Sequence, residues 1–353
     1  MMENGVDKVT RVLFCGFEHP ASQSYTQKYL ENCPFVKIDV LEHVDVPDSI
    51  HKYHVCVVKM FRLDSQIIAK AVKMKLIIQF GVGLEGVDVA AATQHNIKVA
   101  RIPGKISGNS KACAEMAIYL ILGLLRKKKE MEESIERKIV GQPLGDTLFG
   151  KTVFIVGFGD IGCDLAKILR GFGVKILATK RKWNLDSNKQ NGSTNDDDHH
   201  HHNRISGKQI DAIDELVDIK GTPQDYYQFA AEADIVVLCL TLNSETAGII
   251  NKEFLSSMKK GSMLVNIARG GVVDYKSVYE SLKSGHLGGL AMDVAWQEPF
   301  DPQDPILKLP NVIITPHVAG VTELSYTSMA KIVGDCAIQL HNGHALQGIQ
   351  VVN

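Results

Sequence analysis

The chain has 353 residues, of which 45% are hydrophobic and 22% are charged, and its formal net charge is −1. This composition is ordinary for a globular protein of about two domains, and it excludes the basic surface that nucleic-acid binding requires. No apolar run approaches the roughly 20 residues of a transmembrane helix, so we expect no membrane partner. The seven cysteines form no C-x-x-C pair and no targeting signal is recognisable, which indicates free thiols in the cytoplasm.

Residues 9 to 100 alternate between short apolar runs and helical patterns. The runs predict five strands, at 11–16, 35–40, 55–58, 76–79 and 97–100. This alternation is typical of a doubly wound α/β domain with a parallel sheet. A glycine turn, GVG at 81–83, follows the fourth strand. An apolar face then predicts a helix over 110–129, long enough to bridge two domains.

The strongest indication of a ligand comes from a mid-chain segment, KTVFIVGFGDIGCDLAKILRGFGVKILATKRKW. It reads as a strand, a G-x-G-x-x-G turn, a helix and a second strand, the context in which this fingerprint predicts a dinucleotide site. Gly157 would form the tight turn, Gly159 would let the backbone approach the pyrophosphate, and Gly162 would let the helix pack on the strand. The helix N-terminus at Asp160 and Ile161 would present its N–H groups to the phosphates.

The composition changes abruptly after this segment, between residues 184 and 209. The change brings a polar run, NGSTNDDD, followed by four consecutive histidines, His199–His202. Four adjacent side chains cannot all converge on one metal ion, so we predict a solvated low-complexity insertion and no metal site.

The βα pattern then resumes, with strands predicted at 233–240, 261–268, 290–294 and 312–315. A final helix, 323–341, returns the chain to the first half. The predicted domains are therefore a discontinuous one, 1–112 with 322–353, and an inserted one, 113–321.

Three loops of the second domain follow predicted strands and carry polar side chains suited to catalysis: Arg269, Asp293 with Glu298, and His317. Open α/β sheets bind their ligands at the carboxyl ends of their strands, which is where these loops begin.

With these loops, the chain resembles the D-isomer-specific 2-hydroxyacid dehydrogenases. The resemblance rests on GVG, AE at 114–115, VGFGDIG, NIARGGVVD, MDVAWQEPF and TPHVAG, in that order. It implies a Rossmann cofactor domain inserted into a flavodoxin-like substrate domain, with the two halves closing around the substrate. It also implies a homodimer formed through the cofactor domain and the preceding helix. The implied reaction is hydride transfer between a nicotinamide and a small 2-oxo acid.

The resemblance implies three catalytic residues. His317 would donate the proton to the carbonyl oxygen during reduction. Glu298 would hold His317 in the required tautomer and favour its imidazolium form. Arg269 would orient the substrate carboxylate and polarise the carbonyl with its fork of donors.

Four further residues would bind ligands. The backbone N–H groups of Val82 and Gly83 would bind the second carboxylate oxygen. Asp293 would accept a hydrogen bond from the nicotinamide carboxamide, and Ala319, in TPHVAG, would contact the cofactor. Asp293 has an alternative role as the cap of the turn that follows it.

One departure from the family pattern bears on the cofactor. Members that use NAD carry an acidic residue after the second strand, where this chain has Lys180 and Arg181. We therefore predict NADP, with these two side chains on the 2′-phosphate, and NAD as the alternative.

The sequence determines the substrate less closely than it determines the reaction. The loop after the third strand, Lys59–Arg62, would approach the substrate side chain; Met60 and Phe61 suit an apolar tail, whereas Lys59 suits a polar or phosphorylated one. A glyoxylate, hydroxypyruvate or arylpyruvate reductase is preferred. Phosphoglycerate dehydrogenase is an alternative, disfavoured because no regulatory domain follows the core. A nucleotide-sensing corepressor on the same scaffold is the alternative outside enzymes.

Overall fold

The computed structural model describes residues 9–183 and 213–353, so the predicted insertion and its histidine run lie outside the described residues. The described chain forms two compact units. The first comprises residues 9–113 and 318–353, and the second comprises the described residues between 114 and 317. We call them the outer-segment unit and the central unit.

The strands across the described residues run, in chain order, β1 (Thr10–Cys15), β2 (Val36–Leu41), β3 (Val55–Val58), β4 (Leu76–Gln79), β5 (Lys98–Arg101), β6 (Thr152–Val156), β7 (Lys175–Thr179), β8 (Ile219–Gly221), β9 (Ile235–Leu238), β10 (Met263–Asn266), β11 (Gly289–Met292), β12 (Val312–Ile314) and β13 (Gln350–Val351).

The helices run α1 (Pro20–Tyr29), α2 (Val46–Ser49), α3 (Ser65–Ala69), α4 (Val89–Gln94), α5 (Gly104–Ser107), α6 (Asn109–Leu125), α7 (Lys128–Glu136), α8 (Asp160–Arg170), α9 (Tyr226–Glu232), α10 (Lys252–Ser257), α11 (Tyr275–Lys283) and α12 (Glu323–His341). Short 3-10 turns complete the described elements, at His43–Asp45, Ile50–Lys52, Ile213–Leu216, Pro223–Asp225, Gly270–Val272 and Pro305–Lys308.

The outer-segment unit is built on a sheet with the strand order β13-β5-β4-β3-β1-β2. Strands β1 to β5 are parallel and follow the order 2-1-3-4-5, which is that of the flavodoxin-like fold. The sheet is not wholly parallel, however, because β13 pairs antiparallel with β5. The sequence pattern did not predict β13, since two residues on a sheet edge are too short to show a periodicity.

The central unit is built on a parallel sheet with the order β12-β11-β10-β9-β6-β7-β8. Reading from β8, this is the 3-2-1-4-5-6 order of the Rossmann fold extended by one strand. Two buried apolar clusters cover its faces, one centred on α6 and α8 and the other on α9, α10 and α11. The predicted pair of doubly wound α/β domains is confirmed.

The helix predicted over 110–129 ends earlier than the apolar pattern indicates. Helix α6 ends at Leu125, and Lys127 takes a left-handed conformation with φ 54° before α7 begins. The Leu125 carbonyl accepts a hydrogen bond from the Asp146 N–H at 2.8 Å, so a later loop caps the helix end. The prediction ran too long because a lysine-rich stretch gives no local stop signal.

Candidate active site

The fingerprint turn joins β6 to α8, and its three glycines meet three different constraints. Gly157 has φ 95°, and a Cβ there would lie 3.0 Å from the backbone of Leu240. A Cβ on Gly162 would lie 2.7 Å from the Gly157 carbonyl oxygen, so only glycine lets α8 pack this closely. A Cβ on Gly159 would meet nothing within 4 Å. Gly159 caps the exposed N-terminus of α8, which leaves the room and the N–H donors that a pyrophosphate needs.

His317 and Glu298 form a hydrogen-bonded pair within the central unit. The Nδ1 atom of His317 lies 2.7 Å from Glu298 Oε2, and the two side chains are 31% and 21% exposed. The other carboxylate oxygen, Oε1, accepts from the Ala295 N–H at 3.0 Å. The His317 backbone has φ 55°, a left-handed conformation that histidine tolerates better than branched residues do. Because the carboxylate engages Nδ1, the Nε2 atom is left to carry the exchangeable proton.

Glu298 is ionised more readily than an ordinary glutamate. Burial on its own would raise the pKa of Glu298, but the hydrogen bond and charge of His317 lower it, as do the Ala295 N–H and the charge of Arg269. The net effect is a lowered pKa, so the carboxylate is available to stabilise an imidazolium at neutral pH.

Arg269 lies on the loop after β10, which packs tightly against the loop that follows β11. A Cβ on Gly270 would lie 1.9 Å from the Ala295 carbonyl oxygen, so glycine is required where these two loops touch. The side chain of Asn266, which is fully buried, donates to the Arg269 carbonyl at 2.9 Å and accepts from the Ala268 N–H at 2.9 Å. Sequence reasoning missed Asn266, although its place at the end of a buried strand is the signal that could have found it.

Asp293 is buried at the end of β11 and joins the neighbouring loops. It accepts a hydrogen bond from the Thr315 hydroxyl at 2.5 Å, and its N–H donates to the Asn266 carbonyl at 3.0 Å. Trp296 lies further along the same loop, where its indole N–H donates to the Val273 carbonyl at 2.8 Å and its ring stacks edge-on with Tyr275. Three adjacent strand ends thus support the Arg269, Glu298 and His317 loops.

The predicted 2′-phosphate residues follow β7. Lys180 is half-buried and Arg181 is exposed. Trp183 forms a platform here: its indole N–H donates to the Gly221 carbonyl at 2.8 Å, and the ammonium groups of Lys180 and Lys220 lie 5.9 and 5.5 Å from its ring centre. Lys220, on β8, was not predicted, because β8 is distant in sequence and has no motif of its own.

Val82, Gly83 and Ala319 belong to the outer-segment unit. Val82 and Gly83 are half-exposed in the turn after β4, and the Gly81 carbonyl there accepts from the Ile102 N–H at 3.0 Å. Ala319 is buried just before α12. The structure thus groups Arg269, Asp293, Glu298, His317 and the fingerprint in one unit and these three residues in the other.

The described residues contain neither a group of side chains arranged to hold a metal ion nor a helix that could cross a membrane. Within 9–183 and 213–353, no group of three histidine, cysteine, aspartate or glutamate side chains is arranged to hold a metal ion. In the same ranges, no helix is long and apolar enough to cross a membrane.

A Rossmann sheet that carries an intact fingerprint turn defines a dinucleotide-binding protein. A family model described as D-isomer specific 2-hydroxyacid dehydrogenase, NAD binding domain, matches residues 118–202 and 206–319, more than half of the chain. The chain belongs to the D-isomer specific 2-hydroxyacid dehydrogenase family.

Curated relatives cover most of this chain. The D-3-phosphoglycerate dehydrogenase of Archaeoglobus fulgidus is 31% identical over 84% of this chain, which spans only 51% of that protein's length. The glyoxylate reductases of Korarchaeum cryptofilum and Thermococcus kodakarensis are 31% and 32% identical over 80% of this chain, and 77% and 78% of their own lengths are covered.

Solved structures share the fold at lower identity. A Thermus thermophilus protein is 24% identical with a TM-score of 0.77, over 98% of this chain and 100% of that one. An NADPH-dependent glyoxylate/hydroxypyruvate reductase from Sinorhizobium meliloti, solved with NADP and malonate, is 22% identical with a TM-score of 0.77, over 97% and 96%.

Proposed function

We propose that this protein reduces a small 2-oxo acid to the D-2-hydroxy acid with NADPH. The observation that carries the proposal is the His317–Glu298 pair, joined at 2.7 Å beside the loop of Arg269. A histidine that a carboxylate holds through Nδ1 is suited to general acid catalysis, because its Nε2–H can donate a proton to the substrate. The glyoxylate reductase relatives support a small substrate.

Each residue of the set then has a distinct task. A nicotinamide cofactor held at the fingerprint turn, Gly157 to Gly162, would supply the hydride that reduces the carbonyl carbon. The Nε2–H of His317 donates its proton to the carbonyl oxygen, and the Glu298 carboxylate stabilises the imidazolium before that transfer. Arg269 binds the substrate carboxylate with two N–H donors and polarises the carbonyl. The N–H groups of Val82 and Gly83 bind the remaining carboxylate oxygen, Asp293 accepts from the carboxamide, and Ala319 contacts the cofactor.

The preference for NADP rests on the charge around the end of β7. Lys180 and Lys220 flank Trp183, and the charge of Arg181 acts on the Tyr226 hydroxyl, whose pKa burial raises. A 2′-phosphate would gain charge-assisted hydrogen bonds in such surroundings. A ribose 2′-hydroxyl would lack its usual acceptor, because Lys180 and Arg181 stand where NAD-dependent members have a carboxylate.

We also propose that the protein forms a homodimer through the surface around α7, and that it works in the cytoplasm. Apolar side chains are exposed along residues 119–149, with Val140 at 96% and Leu144 at 88%. An exposed apolar surface of this extent is typical of a protein–protein interface. A second copy is its proposed occupant, because the family resemblance implies a homodimer formed through the cofactor domain and the helix before it, and these residues lie at the end of that helix and after it. Seven free cysteines suit a reducing compartment.

The test is to follow the loss of reduced-nicotinamide absorbance with NADPH or NADH and a panel of 2-oxo acids. We expect turnover with glyoxylate or hydroxypyruvate that His317→Ala abolishes, and a higher kcat/KM with NADPH than with NADH. Equal efficiency with both cofactors contradicts the NADP proposal. Tight cofactor binding without turnover of any acid contradicts the enzyme and favours the nucleotide-sensing corepressor.

A further inference from the structure

Three polar side chains meet at the carboxyl edge of the sheet in the outer-segment unit. The Lys59 ammonium donates to the Tyr326 hydroxyl at 2.5 Å and lies 3.3 Å from His19 Nδ1, and that nitrogen lies 3.4 Å from the Tyr326 hydroxyl. Lys59 follows β3, His19 follows β1 and Tyr326 belongs to α12, so three separate elements build the cluster. We call these three residues the Lys59 cluster.

The surrounding packing holds the cluster in place. Tyr326 is 2% exposed and its ring stacks edge-on with Phe80, with 5.3 Å between ring centres. The Gln79 side chain donates to the Lys59 carbonyl at 3.1 Å. Strands β3 and β4 pair with Val58 opposite Gln79, so the next residues, Lys59 and Phe80, lie side by side. Phe80 is two residues before Val82. The cluster therefore adjoins the turn to which the proposed function assigns the substrate carboxylate.

The partners that hold Lys59 leave its charge in place. Burial raises the pKa of Tyr326 to about 12, so its hydroxyl stays protonated and uncharged at neutral pH. The imidazole of His19 is either neutral or positive. Neither of these two side chains carries a negative charge, so the ammonium is a charge-assisted donor.

The surrounding groups limit what Lys59 can bind. Lys59, His19 and Glu18 line a small pocket, and Glu18 pairs with His43 at 3.2 Å. A doubly charged phosphate would meet the Glu18 carboxylate there, whereas a neutral hydroxyl would not. Phe61, the aromatic residue of the same loop, is partly buried against the apolar cluster under the sheet, and its ring centre lies 4.8 Å from that of His43, so its ring is already engaged in packing within the unit.

We infer that Lys59, positioned by Tyr326 and His19, binds an oxygen on C3 of the substrate and makes the enzyme selective for 3-hydroxy-2-oxo acids. This inference rests on the proposed function, and it narrows the substrate class within it. A side chain without an oxygen at C3 would bring an apolar group against the charged Lys59 ammonium, which is unfavourable.

The test compares kcat/KM for hydroxypyruvate and pyruvate, which differ by one C3 hydroxyl, in the wild type, Lys59→Met, Tyr326→Phe and the control Lys52→Met. A hydrogen bond to a charged group is worth roughly 10- to 100-fold in binding, so the wild type prefers hydroxypyruvate by about that factor. Lys59→Met removes most of the preference, chiefly through KM. Tyr326→Phe, which keeps its ring packing, reduces the preference by about threefold to tenfold through weaker positioning. Lys52 is exposed on a 3-10 turn of the same unit, so Lys52→Met keeps the wild-type ratio.

The outcomes separate this inference from the proposed function. If no 2-oxo acid is turned over by the wild type, both fail. If the wild type reduces pyruvate, phenylpyruvate or 3-phosphohydroxypyruvate more efficiently than hydroxypyruvate, the inference alone is overturned. The inference is also overturned if Lys59→Met keeps the wild-type ratio of kcat/KM for hydroxypyruvate to that for pyruvate. If Lys59→Met does not fold, the same ratio in Tyr326→Phe decides, and an unchanged ratio there overturns the inference. Cofactor affinity, measured by fluorescence titration, checks that each variant is intact.

Discussion

Gly270→Ala tests whether the contact between the loops that carry Arg269 and Glu298 sets the geometry of the proposed site. An alanine Cβ at this position would lie 1.9 Å from the Ala295 carbonyl oxygen, whereas real Cβ contacts are essentially never under 3.0 Å. The loops must therefore separate by about 1.1 Å, the difference between these distances. Gly270 is buried, and the obstacle is backbone, which cannot rotate away.

The displacement acts directly on the proposed proton donor. The Ala295 N–H donates to Glu298 at 3.0 Å, and Glu298 holds His317 at 2.7 Å. A shift of about 1.1 Å along the second contact would lengthen it to about 3.8 Å, beyond the roughly 3.2 Å limit of a good N–H···O hydrogen bond. A misplacement of about 1 Å costs roughly 100-fold in rate, which corresponds to about 2.7 kcal/mol. Overpacking adds about 1–3 kcal/mol of destabilisation.

The neighbouring glycine supplies the matched control. A Cβ on Gly271 would lie 3.2 Å from the Leu242 Cδ2 atom, the end of a flexible side chain, so Gly271→Ala is expected to stay within about threefold of the wild type. Steady-state rates with NADPH and a 2-oxo acid give kcat/KM, while circular dichroism and cofactor titration report folding. The reasoning is refuted if folded Gly270→Ala keeps wild-type kcat/KM, or if both alanine variants lose activity equally.

Four further predictions concern charge and association. Glu298→Gln should lower kcat/KM for reduction by about 100- to 10,000-fold near pH 7, because an amide does not stabilise an imidazolium; a near wild-type rate contradicts the assigned pair. The folded state lowers the pKa of Glu298, so the ionised carboxylate stabilises the fold above about pH 4.5. That contribution is lost as the pH falls through the folded-state pKa. The free energies of unfolding of the wild type and Glu298→Gln, measured by urea titration, should therefore converge in acid. Arg181→Ser should raise the KM for NADPH at least tenfold and leave that for NADH nearly unchanged, whereas equal effects on both exclude a 2′-phosphate contact. Val140→Asp should shift size-exclusion chromatography from dimer to monomer, and Val72→Asp, at a 79% exposed site in the other unit, should not.

The sequence predicted the fold well because both sheets are made of buried parallel strands. Such strands appear as continuous apolar runs, and α12 lies at the predicted residues 323–341, begun by the Thr322 side chain accepting from the Ser325 N–H at 3.2 Å. The antiparallel strand β13 escaped prediction, because its place depends on pairing with a strand about 250 residues earlier and not on its own two residues. Element ends such as Leu125 were also set by distant partners.

The candidate site likewise contains residues that the sequence predicted and supporting residues that it did not. Arg269, Glu298 and His317 lie in recognisable motifs, from which the sequence predicts that they share one site. In the structure, Glu298 holds His317 and the charge of Arg269 acts on Glu298. The supporting residues were not predicted: Asn266 acts through its amide on a neighbouring loop, and Lys220 reaches Trp183 only because β7 and β8 pair. Local sequence encodes which groups are present, whereas strand pairing determines which of them meet.

That distinction explains why the substrate was the least determined property of the chain. In the sequence, Lys59 indicated a polar or phosphorylated substrate side chain, whereas Phe61, in the same loop, indicated an apolar one. The structure separates them: Phe61 packs against His43 and the apolar core, while Lys59 hydrogen-bonds to a tyrosine 267 residues later in the chain. Tyr326 belongs to α12, and its burial raises the pKa of its hydroxyl to about 12, so it stays protonated and is a neutral partner for the lysine. Substrate selectivity in this chain would then depend on a C-terminal helix that contains none of the proposed catalytic residues, and a single hydroxyl, deleted in Tyr326→Phe, is enough to test it.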